Sequence, residues 1–103
     1  MQEPTSMQKK HLRGLAHSIK PVVFIGQKGA TQAVIKSVNE ALDIHELIKI
    51  RFIDHKEKAV KQELTGEVCR QTASVLAGLV GHVAIVYRRH RDPEKRRITL
   101  PAG

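Results

Sequence analysis

The sequence of 103 residues is poor in cysteine and in aromatic side chains, with one cysteine, three aromatics and no tryptophan. The single cysteine, Cys69, excludes an internal disulfide framework and a cysteine-based zinc site, so we expect a reducing, cytoplasmic compartment. No apolar run approaches the roughly 18 residues that span a bilayer, and no signal-peptide core is visible, so we expect neither membrane association nor secretion. The three aromatics, Phe24, Phe52 and Tyr87, lead us to expect little stacking of nucleic-acid bases.

Acidic residues are absent from residues 4–39, whereas six lysines and arginines fall in the same block. The whole chain carries a formal charge of +8 and has a pI of about 10.1. A second basic stretch lies at the C-terminus, where residues 71–103 hold six bases and two acids. Phosphate is the commonest polyanion that such a surface meets, so the charge favours a nucleic-acid partner. A basic face that only aids solubility is the alternative.

The apolar pattern alternates between helical and strand-like segments and predicts the order α-β-α-β-α-β-β. We expect a single compact α/β domain of α+β character, with a four-stranded mixed sheet and the helices mainly on one face. A flexible leader is predicted over residues 1–6, the domain over 7–101, and a basic tail segment over 88–97. Thr5 or Ser6 is expected to cap the first helix, and Asp54 the third. Residues 98–100 are a candidate short edge strand.

A G-x-x-G loop, Gly26-Gln27-Lys28-Gly29, lies between the apolar run at residues 22–25 and the second predicted helix. Glycine at both ends allows sharp backbone bends and the close approach of a sugar-phosphate chain. The following helix offers free N–H groups and its positive dipole end to a phosphate, and Lys28 adds a full charge. KH domains clamp a single-stranded backbone with such a loop. Two glycines also occur in ordinary strand-to-helix turns, so the loop alone leaves both interpretations open.

Nothing in the sequence predicts catalysis. The Walker and dinucleotide-binding glycine motifs are absent, and the six histidines have no metal-ligand spacing. No nucleophile stands at a recognised spacing from a general base. We therefore expect no enzyme activity, no metal, no cofactor and no small-molecule substrate.

Several motifs together resemble the YhbY family of bacterial proteins, whose shared unit is the CRM domain, named for chloroplast RNA splicing and ribosome maturation. The resemblance covers roughly residues 7–101 and is carried by residues 11–17 (HLRGLAH), 20–29 (KPVVFIGQKG), 45–49 (HELIK), 81–82 (GH), 86–88 (VYR) and 97–101 (RITLP). Residues 72–74 depart from it, because many relatives carry Thr-Gly-Ala where this chain has Thr-Ala-Ser. We expect that change to alter a helix end.

The resemblance implies an RNA-binding fold like the C-terminal domain of translation initiation factor three. It also implies a cytoplasmic monomer that associates with ribosomal RNA in large-subunit precursors and assists their maturation. A basic module that docks on an acidic partner or a ribosomal protein remains the alternative. The residues predicted to contact RNA are Lys9, Lys10, Arg13, Lys20, Gly26, Gln27, Lys28, Gly29, Thr31, Arg88, Arg96 and Arg97.

Overall fold

The structure is a computed structural model that describes residues 3–103. Three α-helices, four strands and one short 3₁₀ helix follow one another along the chain. They are α1 (Ser6–Ala16), β1 (Val23–Ile25), α2 (Gln32–His45), β2 (Leu47–Phe52), α3 (Lys58–Thr72), β3 (Val75–Val80), β4 (Val83–Tyr87) and the 3₁₀ turn (Pro93–Lys95). Within the described range, no helix has the length and apolar character needed to cross a membrane. The predicted order of helices and strands is confirmed.

The four strands form one mixed sheet in the order β1-β2-β4-β3. β1 runs parallel to β2, and β4 pairs antiparallel with both β2 and β3. The parallel pair needs a crossover, which α2 supplies, whereas β3 and β4 join in a hairpin around residues 81–82. The expected α/β class and the four-stranded mixed sheet are therefore confirmed.

Two helices cover one face of the sheet. The buried β2 residues Ile48, Ile50 and Phe52 pack on this side with Val38 and Leu42 of α2. Val68 of α3, with the half-buried Leu64 and Cys69, completes the same cluster. Alternation along β2 explains this placement, because every second side chain of a strand points to the same face.

The first helix packs on the opposite face, which refines the expectation that the helices lie mainly on one face. Leu12 and Ala16 of α1 are fully buried against Leu47, Ile85 and Tyr87. The chain after β4 adds Ile98 and Leu100 to this second cluster. Elements thus pack on both faces of the sheet, α2 and α3 on one and α1 with the C-terminal tail on the other.

The third helix begins four residues later than its predicted cap. Asp54 does not cap it, because α3 starts at Lys58 and Glu57 occupies the N-cap position without a side-chain cap bond. Residues 54–57 instead form a loop whose His55 contacts the carbonyl of Gly26. The sequence pattern predicts a local cap at Asp54, but the contact between His55 and Gly26 holds these residues in a loop instead.

Both ends of the chain differ from expectation. Residues 98–100 form no strand, so the predicted edge strand is wrong, and their apolar side chains pack on the α1 side instead. Of the predicted leader, residues 1 and 2 lie outside the described residues. Pro4 is buried, and Thr5 caps α1 through a reciprocal pair of hydrogen bonds with Gln8. The structure therefore places residues 4–6 within the folded domain.

α3 ends in a left-handed residue. Ala73 has φ 53° and ψ 45°, and its N–H donates to the carbonyl of Cys69. Glycine is the usual residue in this conformation, because a Cβ is crowded there. The resemblance described above implies glycine at this position, and the expected alteration does fall at a helix end.

We predict that opposite exchanges of glycine and alanine both stabilise the protein, at Ala73 after the end of α3 and at Gly66 within it. Ala73→Gly should raise the free energy of unfolding by about 0.5–1 kcal/mol, since it relieves the left-handed alanine. Gly66→Ala should also stabilise, by about 1 kcal/mol, because Gly66 is helical and a Cβ there meets no atom within 4 Å. Urea unfolding checks both, and destabilisation by Ala73→Gly would contradict the assigned conformation.

The tail is fastened by a buried carboxylate. Glu46, only 1% exposed, accepts backbone N–H bonds from His90 at 2.7 Å, Arg97 at 2.6 Å and Ile98 at 3.1 Å. Its own N–H donates to Leu42, and its carbonyl accepts from Arg88. Three amide donors compensate the burial of the charge, as a buried carboxylate requires.

Removal of this carboxylate should loosen the tail. Glu46→Ala leaves three backbone donors without their acceptor. We expect the free energy of unfolding to fall by about 2–4 kcal/mol. Amide hydrogen exchange at His90, Arg97 and Ile98 should accelerate in parallel. Glu40→Ala is the matched control on the exposed side of α2 and should change stability by less than about 0.5 kcal/mol. Equal losses in the two variants would show that Glu46 does not anchor the tail.

Candidate nucleic-acid interface

The G-x-x-G loop forms a tight turn between β1 and α2. The N–H of Gly29 donates to the carbonyl of Gly26 at 3.0 Å, and Gly29 has φ +73°. Gln27 and Lys28, at the tip of the turn, are both exposed. Thr31 then caps α2, accepting the N–H of Val34 at 3.2 Å. The structure thus brings five predicted site residues together at the start of α2.

The loop rests on α3 and on the segment before it. A Cβ built at Gly29 would lie 3.1 Å from Leu64 Cδ2, so any side chain at position 29 would crowd the side chain of Leu64. His55 Nε2 lies 3.1 Å from the carbonyl oxygen of Gly26. The same segment brings Asp54 close, 3.7 Å from the position of a Cβ on Gly26. The G-x-x-G loop therefore has an acidic neighbour in space, although no acid lies near it in the sequence.

A third turn lies at the same end of the sheet. The N–H of Phe52 donates to the carbonyl of His82 in the β3–β4 hairpin. Lys61, only 5% exposed, donates from Nζ to the carbonyl of Gly81 at 2.6 Å and lies 3.2 Å from His82 Nδ1. Lys61 therefore holds the hairpin, and its charge is not displayed on the surface.

The basic residues of α1 have unequal surroundings. Lys9 pairs with Glu3 at 3.3 Å, and Lys10 is exposed. Arg13 donates from Nη1 to the carbonyl of Ala77 at 2.9 Å. Its aliphatic stem fills the space where a Cβ on Gly78 would stand, 2.6 Å from Arg13 Cδ. Arg13 thus ties α1 to β3, whereas Lys10 displays its charge to solvent.

The remaining predicted residues lie apart from the loop. Lys20 is exposed before the start of β1. Arg88 donates to Thr72, Asn39 and Asp43, so its guanidinium bridges α2 and the end of α3. Arg96 donates from Nε to the carbonyl of His90, whereas the side chain of Arg97 is exposed. The structure gives Arg88 and Arg96 binding partners within the protein.

Three residues near the loop were not among the predicted site residues. Phe24 is 53% exposed at the centre of β1, and its register partner is Arg51 of β2. Lys49 lies two residues earlier on the same face of β2. Alternation in residues 47–52 already separates these basic side chains from the apolar ones. The sequence alone does not reveal that the first helix leaves part of their face uncovered.

No three histidine, cysteine, aspartate or glutamate side chains within residues 3–103 are grouped so that they could hold a metal ion. Burial raises the pKa of the Cys69 thiol, and a hydrogen bond with Ser74 only partly opposes that change. A raised pKa keeps the thiol protonated, which lowers its nucleophilicity.

The sequence profile of the CRS1/YhbY (CRM) domain matches residues 5–88. The chain belongs to this family. An RNA-binding protein of Haemophilus influenzae is 34% identical to it over 97 residues, which are 94% of each chain. A probable RNA-binding protein of Pseudomonas aeruginosa is 35% identical over 91 residues, covering 88% of this chain and 86% of that protein.

A solved member of comparable size has the same fold. The solution structure of a Staphylococcus aureus protein proposed to bind RNA superposes with a TM-score of 0.81 at 31% identity, covering 96% of this chain and 100% of the other. The resemblance inferred from the motifs is therefore confirmed. The CRM profile ends at Arg88, so residues 89–103 of the tail lie beyond it.

Proposed function

We propose that this CRM-domain protein binds RNA without catalysis and assists maturation of the large ribosomal subunit in the cytoplasm. The observation that carries the proposal is the exposed pair Gln27 and Lys28, presented by the turn at the start of α2. Relatives aligned over nearly the whole chain bear the names of RNA-binding proteins, which supports an RNA partner.

The proposed contact is between the loop and the phosphate backbone. Lys28 supplies a full positive charge, and the helix start adds a partial one. Gln27 can donate to a phosphate or sugar oxygen. Lys10 and Lys20 are exposed and extend the positive surface. Contacts of this kind bind the backbone and not a base sequence, so the affinity should fall steeply with salt.

We predict that Gln27→Asp combined with Lys28→Asp weakens RNA binding at least tenfold, because phosphates then face three fewer units of positive charge. Filter binding with large-subunit ribosomal RNA measures the change. Gln62→Glu combined with Lys36→Glu alters the net charge equally on exposed positions of α3 and α2. If the control weakens binding as much as the loop variant, net charge and not the loop determines affinity.

The tail should contribute less than the loop. Arg97→Ala removes an exposed charge but keeps the backbone N–H that binds Glu46, so the tail should stay in place. We expect a smaller loss of affinity than in the loop variant, with the slope of log affinity against log salt reduced by about 0.7–0.9. A loss larger than that of the loop variant would move the main contact to the tail.

Crosslinking in cells tests the ribosomal role. Ultraviolet crosslinking followed by sequencing should give a focused peak in large-subunit ribosomal RNA, and the loop variant should lose that peak. Docking on an acidic or ribosomal protein is the rival interpretation. Nuclease treatment distinguishes the two. RNase should release the protein from the ribosomal precursor if RNA mediates the association, and should leave the complex intact if a protein mediates it.

A further inference from the structure

The first helix leaves one row of its sheet face uncovered. Phe24, Arg51, Val83 and Val80 are successive register partners across the strands β1, β2, β4 and β3. We call this row the open strip. Phe24 is 53% exposed and Val80 62%, Arg51 is exposed, and Val83 is half-buried. With strands about 4.8 Å apart, the strip spans roughly 14 Å.

The apolar part of the strip is unusual for its position. Phe24 stands between Val23 and Ile25, which are both buried against α2 and α3. Strand alternation turns Phe24 to the other face, where α1 packs on β2, β4 and β3. An exposed aromatic at the centre of a strand, in one row with an exposed arginine and two valines, forms a partly apolar patch of the kind that marks interaction sites.

The surroundings of the strip are basic. A groove of about 470 Å³ adjoins it, lined by Lys49 and Ile85 of the sheet and by Arg13, Ala16 and His17, together with Val80 and Val83 of the strip. None of the residues that form the strip and this groove is acidic. A positive, partly apolar surface fits a nucleotide, which combines a charged phosphate with a flat apolar base.

The strip also adjoins the G-x-x-G loop. Gly26 is two residues after Phe24, a distance of about 7 Å along an extended chain. A nucleic-acid strand whose backbone lies on Gln27 and Lys28 therefore reaches the strip with a neighbouring nucleotide. Duplex RNA keeps its bases paired and stacked, so only an unpaired base can lie flat on Phe24.

We propose that the open strip is a stacking surface for one unpaired RNA base. The base lies on the ring of Phe24, and Arg51 and Lys49 contact the adjoining phosphates. This inference rests on the proposed function, namely that the protein binds RNA. A count of three aromatics excludes a broad stacking platform, but one exposed ring suffices for one base. The CRM domain would thus hold the backbone with its loop and select single-stranded RNA with its sheet.

The test compares two substitutions at one position. Phe24→Leu keeps an apolar side chain but removes the flat ring, whereas Phe24→Tyr keeps the ring. We expect Phe24→Leu to weaken binding of an oligoadenylate of about ten nucleotides roughly fivefold or more, and Phe24→Tyr to bind like wild type. Fluorescence anisotropy measures both affinities. Ile44→Ala, a change of an exposed apolar residue on α2, is the control and should have no effect.

Two further probes separate stacking from charge. An abasic ribose-phosphate oligomer of the same length should bind wild type and Phe24→Leu equally, since it offers nothing to stack. The salt slope of oligoadenylate binding should be unchanged by Phe24→Leu, because no cation is removed, whereas the loop variant should reduce it. Unfolding midpoints in urea confirm that each variant is folded.

The outcomes distinguish the inference from the proposed function. If wild type binds neither oligoadenylate nor large-subunit ribosomal RNA, the proposed function fails, and the inference fails with it. If wild type binds RNA but Phe24→Leu binds with the same affinity, only the stacking surface is refuted. Sedimentation that shows a wild-type dimer dissociated by Phe24→Leu would also refute it, since a second copy of the chain would then cover the strip.

Discussion

The buried carboxylate of Glu46 is the interaction on which the placement of the C-terminal tail depends. Its backbone closes α2 with φ +62° and starts β2, and its carbonyl binds the chain leaving β4. Its side chain holds the tail through three amide donors. A positive φ in a residue other than glycine costs energy, and such strain persists only where the surroundings impose it. Here the hydrogen bonds from β4 and the tail impose it.

The anchored tail completes the second hydrophobic cluster, which lies between α1 and the sheet. Ile98 and Leu100 cover the α1 side of the sheet, where Tyr87 is buried below them. Burial and the charge of Glu46 raise the pKa of the Tyr87 phenol. The carbonyl of Pro101 accepts a hydrogen bond from Gln8 of α1 at 2.8 Å. The tail therefore joins the first helix to the end of the second, although it lies beyond the matched CRM profile.

The net charge of +8 overstates the positive surface that is free to meet RNA. Arg13, Arg88 and Arg96 donate to acceptors of the protein, and Lys61 is buried beneath the hairpin. A planar guanidinium with five donors suits such structural bridges. The exposed charges include the lysines Lys10, Lys20 and Lys28 and the arginines Arg51 and Arg97. The proposed contact with the RNA backbone therefore depends on these exposed charges, and the proposed selectivity for an unpaired base depends on the exposed ring of the sheet.

Local pattern alone determined the element order, the sheet class, the Thr5 cap and the loop at the start of α2, because these depend on spacing within a few residues. The CRM resemblance was equally visible in the motifs. Tertiary structure decided what depends on distant partners: the late start of α3, the tail packed without a strand, and Asp54 beside Gly26. It also decided which arginines bind the protein and which part of the sheet α1 leaves open. The alternation of residues along a strand shows which face each side chain occupies. Only the tertiary structure shows whether another element covers that face.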